Sequence, residues 1–260
     1  MREINVRHGG TLQSRAFRLE SPCMGHEPRR ILAIETSGRM GSVALGTDDG
    51  VVASSRLSGN MKHAAELIPA IDELARGQGW PVDSLTDVFV SIGPGSFTGL
   101  RIGVTLARTL SWSIGARIVA VPTVDCLARN ALAADPLPTH VAVVLDAKRS
   151  QIYTAAFDVI AGRCVKTIDA CLADPRTFLA RCPKPLAVIG EGIPYHQQVI
   201  DESDAAVLDP SLWPASAENV YHVGIERADT GAFTAGCDLL PLYIRRPEAE
   251  EKWEKLHPKK

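Results

Sequence analysis

The sequence predicts an α/β protein of two duplicated lobes facing each other across a cleft, and three observations carry that prediction. Short apolar runs of strand length alternate with longer stretches whose apolar residues recur at helical spacing. The order strand, strand, strand, helix, strand, helix occurs once before a linker with two prolines, "DPLPTH" (135–140), and once after it. The opening strand of each half ends in a carboxylate, Glu35 in the first and Asp146 in the second. A chain of 260 residues is long enough to bury both lobes.

Within the first half, 31–34, 42–45 and 51–57 are apolar runs separated by the turn residues "TSGRMG" and "TDDG", which gives a three-stranded meander. In "NMKHAAELIPAIDELARGQGW", Ala64, Leu67, Ile68, Ile71, Leu74 and Ala75 fall on one helical stripe. Asn60 is the expected N-cap, and Gly77 and Gly79 stop the helix. Pro69 inside it should leave the Ala65 carbonyl unpaired and bend the axis. "LTDVFVSI" is then a buried strand, 96–114 a helix, "ARIVAV" a strand and "TVDCLARNALAA" a helix.

Beyond the linker, "VAVVLDAKRSQIYTAAFD" reads as strand, polar turn and strand, and "CVKTIDACL" as a third strand. "DPRTFLARC" is a short helix, "PLAVIG" a buried strand running into "EGIP", and 215–228 the last helix. The expected organisation is an extension, 1–29, then lobes at 30–135 and 139–240, then a tail, 241–260. The extension has no apolar h-region, and Glu3, Glu20 and Glu27 interrupt it, so it reads as neither secretory signal nor transit peptide. A poorly ordered segment, or an upstream start with Met24 closer to the true beginning, accounts for it.

Composition narrows the function. With 45% apolar and 22% charged residues the chain has a soluble globular profile, and no apolar run nears the roughly 18–20 residues that span a bilayer. A cytoplasmic protein is expected. The net charge of −2 offers no overall positive field for a polyanion. None of the six cysteines pairs as CxxC, which argues for reduced thiols over a zinc knuckle or redox pair.

The stretch "SIGPGSFTGLRIG" (91–103) invites a phosphate-cradle reading, since free N–H groups at a helix start favour an anion. No lysine stands where a Walker A loop needs it, and Thr98 occupies the third-glycine place of the dinucleotide pattern. The competing reading is packing. Gly99, Gly103 and Ala107 recur every four residues and would form a bare groove for the close approach of another backbone, flanked by Phe97, Leu100, Val104, Leu110 and Ile114. In that reading Gly103→Leu would block pairing and leave the lobes folded. Arg101, Thr105, Arg108 and Trp112 form the opposite edge, and Trp and Arg are enriched at interface hot spots. No GxSxG, HxxxH or HExxH pattern occurs; Leu67 stands one turn after His63, which reads as a residue bordering a contact face. Glu35 and Asp146 could hold a magnesium–nucleotide from facing strand ends. In the mixed-charge tail, Tyr243 and Trp253 stand among basic residues that could touch a partner or RNA phosphate.

Taken together, "ILAIETS…GSVALG", "KHAAELIPAIDELA", "SIGPGSFTGLRIGVTLARTLSW", "VVLDAKRSQIYTAAF" and "PLYIRR…W" resemble the TsaB family, from about residue 30 to the C-terminus. The resemblance implies an actin-like fold of the sugar-kinase and heat-shock-ATPase class, with a ribonuclease H-like mixed sheet and flanking helices in each lobe. It implies a non-catalytic subunit that pairs with the transferase TsaD and works with the ATPase TsaE in threonylcarbamoyl modification of tRNA, meeting tRNA through the complex. A homodimer through the same face is implied when the chain is alone. The implied contact helices place His63, Leu67, Ile71, Gly99, Arg101, Gly103, Ala107, Arg108 and Trp112 at the partner interface. Glu35, Ser37 and Asp146 would mark a vestigial nucleotide site, for Glu35 stands where actin-like sites carry Asp and its longer side chain suits magnesium poorly. No cofactor is assigned to this chain, ATP and magnesium being candidates in the complex. A self-sufficient actin-like ATPase or kinase and a glycoprotease-type metallopeptidase are the alternatives.

Overall fold

Strand β1 (Ile31–Glu35) is buried along its whole length, as an apolar run covered on both faces requires. The computed structural model describes residues 28–59, 63–244 and 253. β1 pairs antiparallel with β2 (Ser42–Thr47) and parallel with β4 (Asp87–Gly93). β3 (Gly50–Arg56) and β5 (Arg117–Pro122) complete a five-stranded sheet in the order β3-β2-β1-β4-β5. Helices α1 (His63–Gly77) and α2 (Phe97–Ile114) cover its outer face, and α3 (Thr123–Asn130) follows β5.

The second half repeats the plan. β6 (His140–Asp146), β7 (Ile152–Ile160), β8 (Arg163–Ala173), β9 (Leu186–Ile189) and β10 (Ala206–Val207) form a sheet in the order β10-β9-β6-β7-β8. Read from the other edge this is the first sheet's order, so the duplication seen in the sequence is a duplication of topology. α4 (Pro175–Arg181) and α5 (Gln197–Asp201) lie on its outer side, and α6 (Ala217–Asp229) follows β10. β10 is too short to have been expected from sequence. The helix read over "TVDCLARNALAA" stops at Asn130 and continues only as a single 3-10 turn, Ala131–Ala133. The Asn60 cap lies outside the described residues.

The two inner helices cross between the halves. α6, from the second half, packs on the first sheet: Ala217 N–H donates to Ser42 Oγ at 2.9 Å, Tyr221 Oη donates to the Thr47 carbonyl at 2.5 Å, and Gly224 faces the Phe89 ring. α3, from the first half, faces the second sheet, where Cys164 Sγ donates to the Ala128 carbonyl at 3.2 Å and Lys166 Nζ pairs with Asp125 at 2.7 Å. Asn219 of α6 ties the two helices together through the Cys126 carbonyl and Asn130. The layers therefore run helices, sheet, α3 with α6, sheet, helices. One core cluster spans the middle, joining Ile31, Ala33 and Phe89 of the first sheet to Val141, Val143 and Phe157 of the second through Leu127, Val220 and Tyr221. No helix among the described residues is long and apolar enough to cross a membrane.

Candidate functional site

The glycine-rich segment is built against the end of β1. Gly93 has φ +116°, and Gly95 lies so close under Ser37 that a Cβ would stand 2.5 Å from the Ser37 carbonyl oxygen. Ser96 N–H donates to that same oxygen at 2.7 Å. The Ser96 hydroxyl caps α2 by accepting from Gly99 N–H at 3.3 Å, so the helix start is engaged from within the chain.

This geometry corrects the reading of the glycine stripe. A Cβ on Gly99 would fall 1.9 Å from the Thr36 carbonyl oxygen, and one on Gly103 2.5 Å from Thr36 Oγ1. Ala107 is fully buried. The backbone that approaches so closely is the chain's own, at β1, and the stripe is no open groove. Gly103→Leu would force its side chain into Thr36, Val90 and Ile34 and would not leave the lobe folded as expected from sequence.

On α1, His63, Leu67, Ile71 and Ala75 are the buried residues. His63 is turned inward, its Nε2 3.2 Å from the Gly38 carbonyl and its ring against Gly41. The histidine therefore borders the core beneath α1 and does not face outward. Arg101 and Arg108 are exposed, and Trp112 is 88% exposed on the far turn of the same helix.

Between α1 and α2 the surface opens into an apolar groove of about 540 Å³, with Leu67 as its floor and Ala64, Ile68, Phe97, Ile102 and Leu106 around it. Ile68 is 63% exposed and forms a contiguous apolar surface with Ala64, Phe97, Ile102 and Leu106, and it is the continuity that marks an interaction site. The sequence places Ile68 on the apolar stripe of α1 and Phe97 beside the glycine stripe. The structure instead brings both, with Arg101, to this separate groove between α1 and α2. It leaves Arg108 and Trp112 on the adjoining edge, facing Gly236 and Cys237.

The second candidate is what α3 and α6 leave of the interlobe cleft, an opening of about 400 Å³ at the ends of β1 and β6. Ser37 and Asp146 line it with Gly95, Lys148, Glu191 and Tyr195. Glu35 does not: it is fully buried beneath the turn, and its Oε1 accepts from Ser37 N–H. Burial pushes its carboxyl above the usual carboxylate range, against the hydrogen bonding from Ser37, and the charge of Glu191 adds to the rise. Its Oε2 has no hydrogen-bond partner.

Asp146 behaves oppositely. Burial works against its charge, yet hydrogen bonds from the Lys148 ammonium at 3.0 Å and backbone N–H at 3.1 Å hold its carboxyl below the ordinary value, with His196 Nε2 3.4 Å away. Glu35 therefore stands outside the cleft, and Asp146 enters it already paired with Lys148. No group of three His, Cys, Asp or Glu among the described residues is placed to hold a metal ion. Across the cleft mouth, Arg39 Nη2 donates to Tyr195 Oη at 3.1 Å and Lys148 Nζ lies 5.4 Å from the Tyr195 ring centre. Sequence reasoning had no signal for this bridge, because its two ends are 156 residues apart.

Two sheets of one topology, with exchanged inner helices and a residual cleft at the ends of β1 and β6, define the actin-like class of α/β proteins. Residues 50–189 match the family described as TsaD, tRNA N6-adenosine threonylcarbamoyltransferase. A Bacillus subtilis protein named tRNA threonylcarbamoyladenosine biosynthesis protein TsaB is 32% identical over 229 residues, 86% of this chain and 97% of its own length. Its Escherichia coli namesake is 30% identical over 128 residues, 49% of this chain and 54% of its own. YeaZ from Pseudomonas aeruginosa shares the fold, with a TM-score of 0.71 at 24% identity over 82% of this chain and 100% of that one. The chain belongs to the TsaB family.

Proposed function

We propose that this protein serves tRNA threonylcarbamoyladenosine biosynthesis as a non-catalytic subunit. It docks a TsaD-type transferase through the outer surface of α1 and α2 and works with TsaE in the same assembly, in the cytoplasm. The observation that carries the reading is the α1–α2 groove, an apolar surface left open on a helix pair whose inner sides are already packed. Arg101, Arg108 and Trp112 extend it along α2, and without the partner a second copy of the chain takes the same place. His63 facing the core agrees with chemistry residing in the partner.

Mixing the chain with the TsaD-type subunit of its own host tests the docking step. Wild type should elute with it from a sizing column, and Ile68→Glu, which places a charge on an exposed site and leaves the core intact, should elute apart with an unchanged melting temperature. Co-elution of Ile68→Glu would refute the docking face. Depletion of the protein that leaves threonylcarbamoyladenosine levels unchanged, or modification of tRNA by this chain alone, would refute the function.

A further inference from the structure

After α6, residues 239–243 stay on the fold. Leu239 is 1% exposed and sits in the core cluster beneath α1 and α2. From there the backbone returns over the start of α2. Leu242 N–H donates to the Ile92 carbonyl at 2.6 Å, and the Leu242 carbonyl passes so close to Gly93 that a Cβ there would stand 2.9 Å from it.

One residue on, the Tyr243 ring lies 4.9 Å from the Phe97 ring, inclined by 31°. Tyr243 Oη accepts from Arg101 Nε at 3.1 Å, and the Arg101 guanidinium sits 3.8 Å from the Phe97 ring centre. Phe97, Arg101 and Tyr243 therefore close a triangle in which each side chain touches the other two. Phe97 and Arg101 both line the α1–α2 groove. An arginine on an open helix face has many rotamers to lose when a partner arrives, whereas one already held by a hydroxyl and an aromatic face has few.

We propose that the 239–243 strap braces one end of the docking face and that Tyr243 is its positioning residue, presetting Phe97 and Arg101 for the partner. The inference rests on the docking reading above and adds the strap to it. Ring stacking supplies part of the effect and the hydroxyl the rest.

Titration of the TsaD-type subunit against the full-length wild type, Tyr243→Ala, Tyr243→Phe, Arg101→Ala and the Arg101→Ala/Tyr243→Ala double variant tests it. Tyr243→Ala should weaken binding about tenfold and Tyr243→Phe about threefold, with Tyr243→Phe melting as the wild type does. The double variant should lose less than the product of the two single losses, as contacting residues that act on one partner do, and the loss in Tyr243→Phe should come without a fall in melting temperature, which a purely structural role for the strap would not produce. Wild-type affinity in both Tyr243 variants, with Ile68→Glu unable to bind, would overturn the strap proposal and leave the docking face standing. Wild-type affinity in Ile68→Glu as well would remove the docking face itself. Strictly multiplicative losses at 101 and 243 would also overturn the positioning role.

Discussion

A carboxyl sealed away from water favours its proton, and Glu35 is sealed beneath the turn that links β1 to β2. Because its folded pKa lies above the unfolded one, the native state holds more protons between the two values. The stability contributed by Glu35 is therefore full at low pH and is lost as pH rises from the ordinary carboxylate range through the folded value. Glu35→Gln keeps an acceptor for Ser37 N–H and has no charge to desolvate. Its melting temperature should exceed that of the wild type at pH 8 and converge with it near pH 4; parallel curves across that range would contradict the buried-acid picture. From sequence, Glu35 could be recognised as a carboxylate closing a strand, but its burial could not, since that depends on the Ser96 loop folding back onto Ser37 from about 60 residues away. Gly99 and Gly103 teach the same lesson. Their spacing announces a close backbone approach, and only the tertiary fold says that the backbone is that of Thr36.

At the scale of the element, α2 is the best specified helix in the chain. Ser96 caps its N-terminus, and Gly115 ends it at φ +75° with its N–H donated to the Ser111 carbonyl. Ser96→Ala and Gly115→Ala should each cost about 1 kcal/mol, the first through a lost cap and the second through a left-handed residue given a Cβ. Nothing stands within 4 Å of a Cβ on Gly115, so its cost is conformational alone. The two sites do not touch, and the double variant should shift the urea midpoint by the sum of the single shifts. A Gly115→Ala variant as stable as wild type would mean that α2 does not end in this conformation. Such helices are readable because capping and 3.6-residue periodicity are local. α3 was read too long because its end is set at a distance: Asn130 Nδ2 donates to the Leu212 carbonyl at 2.7 Å and the Pro214 carbonyl at 2.8 Å, anchoring the last turn to the other half.

For the molecule as a whole, the repeated strand order was legible and the exchange of inner helices was not. An amphipathic stripe on 215–228 shows that one face must be buried without saying which sheet will bury it. In the structure that sheet is the first: Tyr221, Val220 and Gly224 cover Phe89 and the inward side of β1, while α3 covers the second sheet in return. Each half therefore keeps an outer core of its own and shares the central one with the other half. Chains of this length often unfold through intermediates, lobe by lobe, but here removing the second half would uncover Ile31, Ala33 and Phe89 together, about 1.5–3 kcal/mol of lost burial for each large side chain. A single calorimetric transition is expected, with the van't Hoff and calorimetric enthalpies equal. A fragment spanning 28–135 should lack protected amides in hydrogen exchange until a fragment carrying α6 is added. Two resolved transitions, or a protected β1 in the isolated fragment, would show that the first sheet is held by α1 and α2 alone and that α6 is a removable cover.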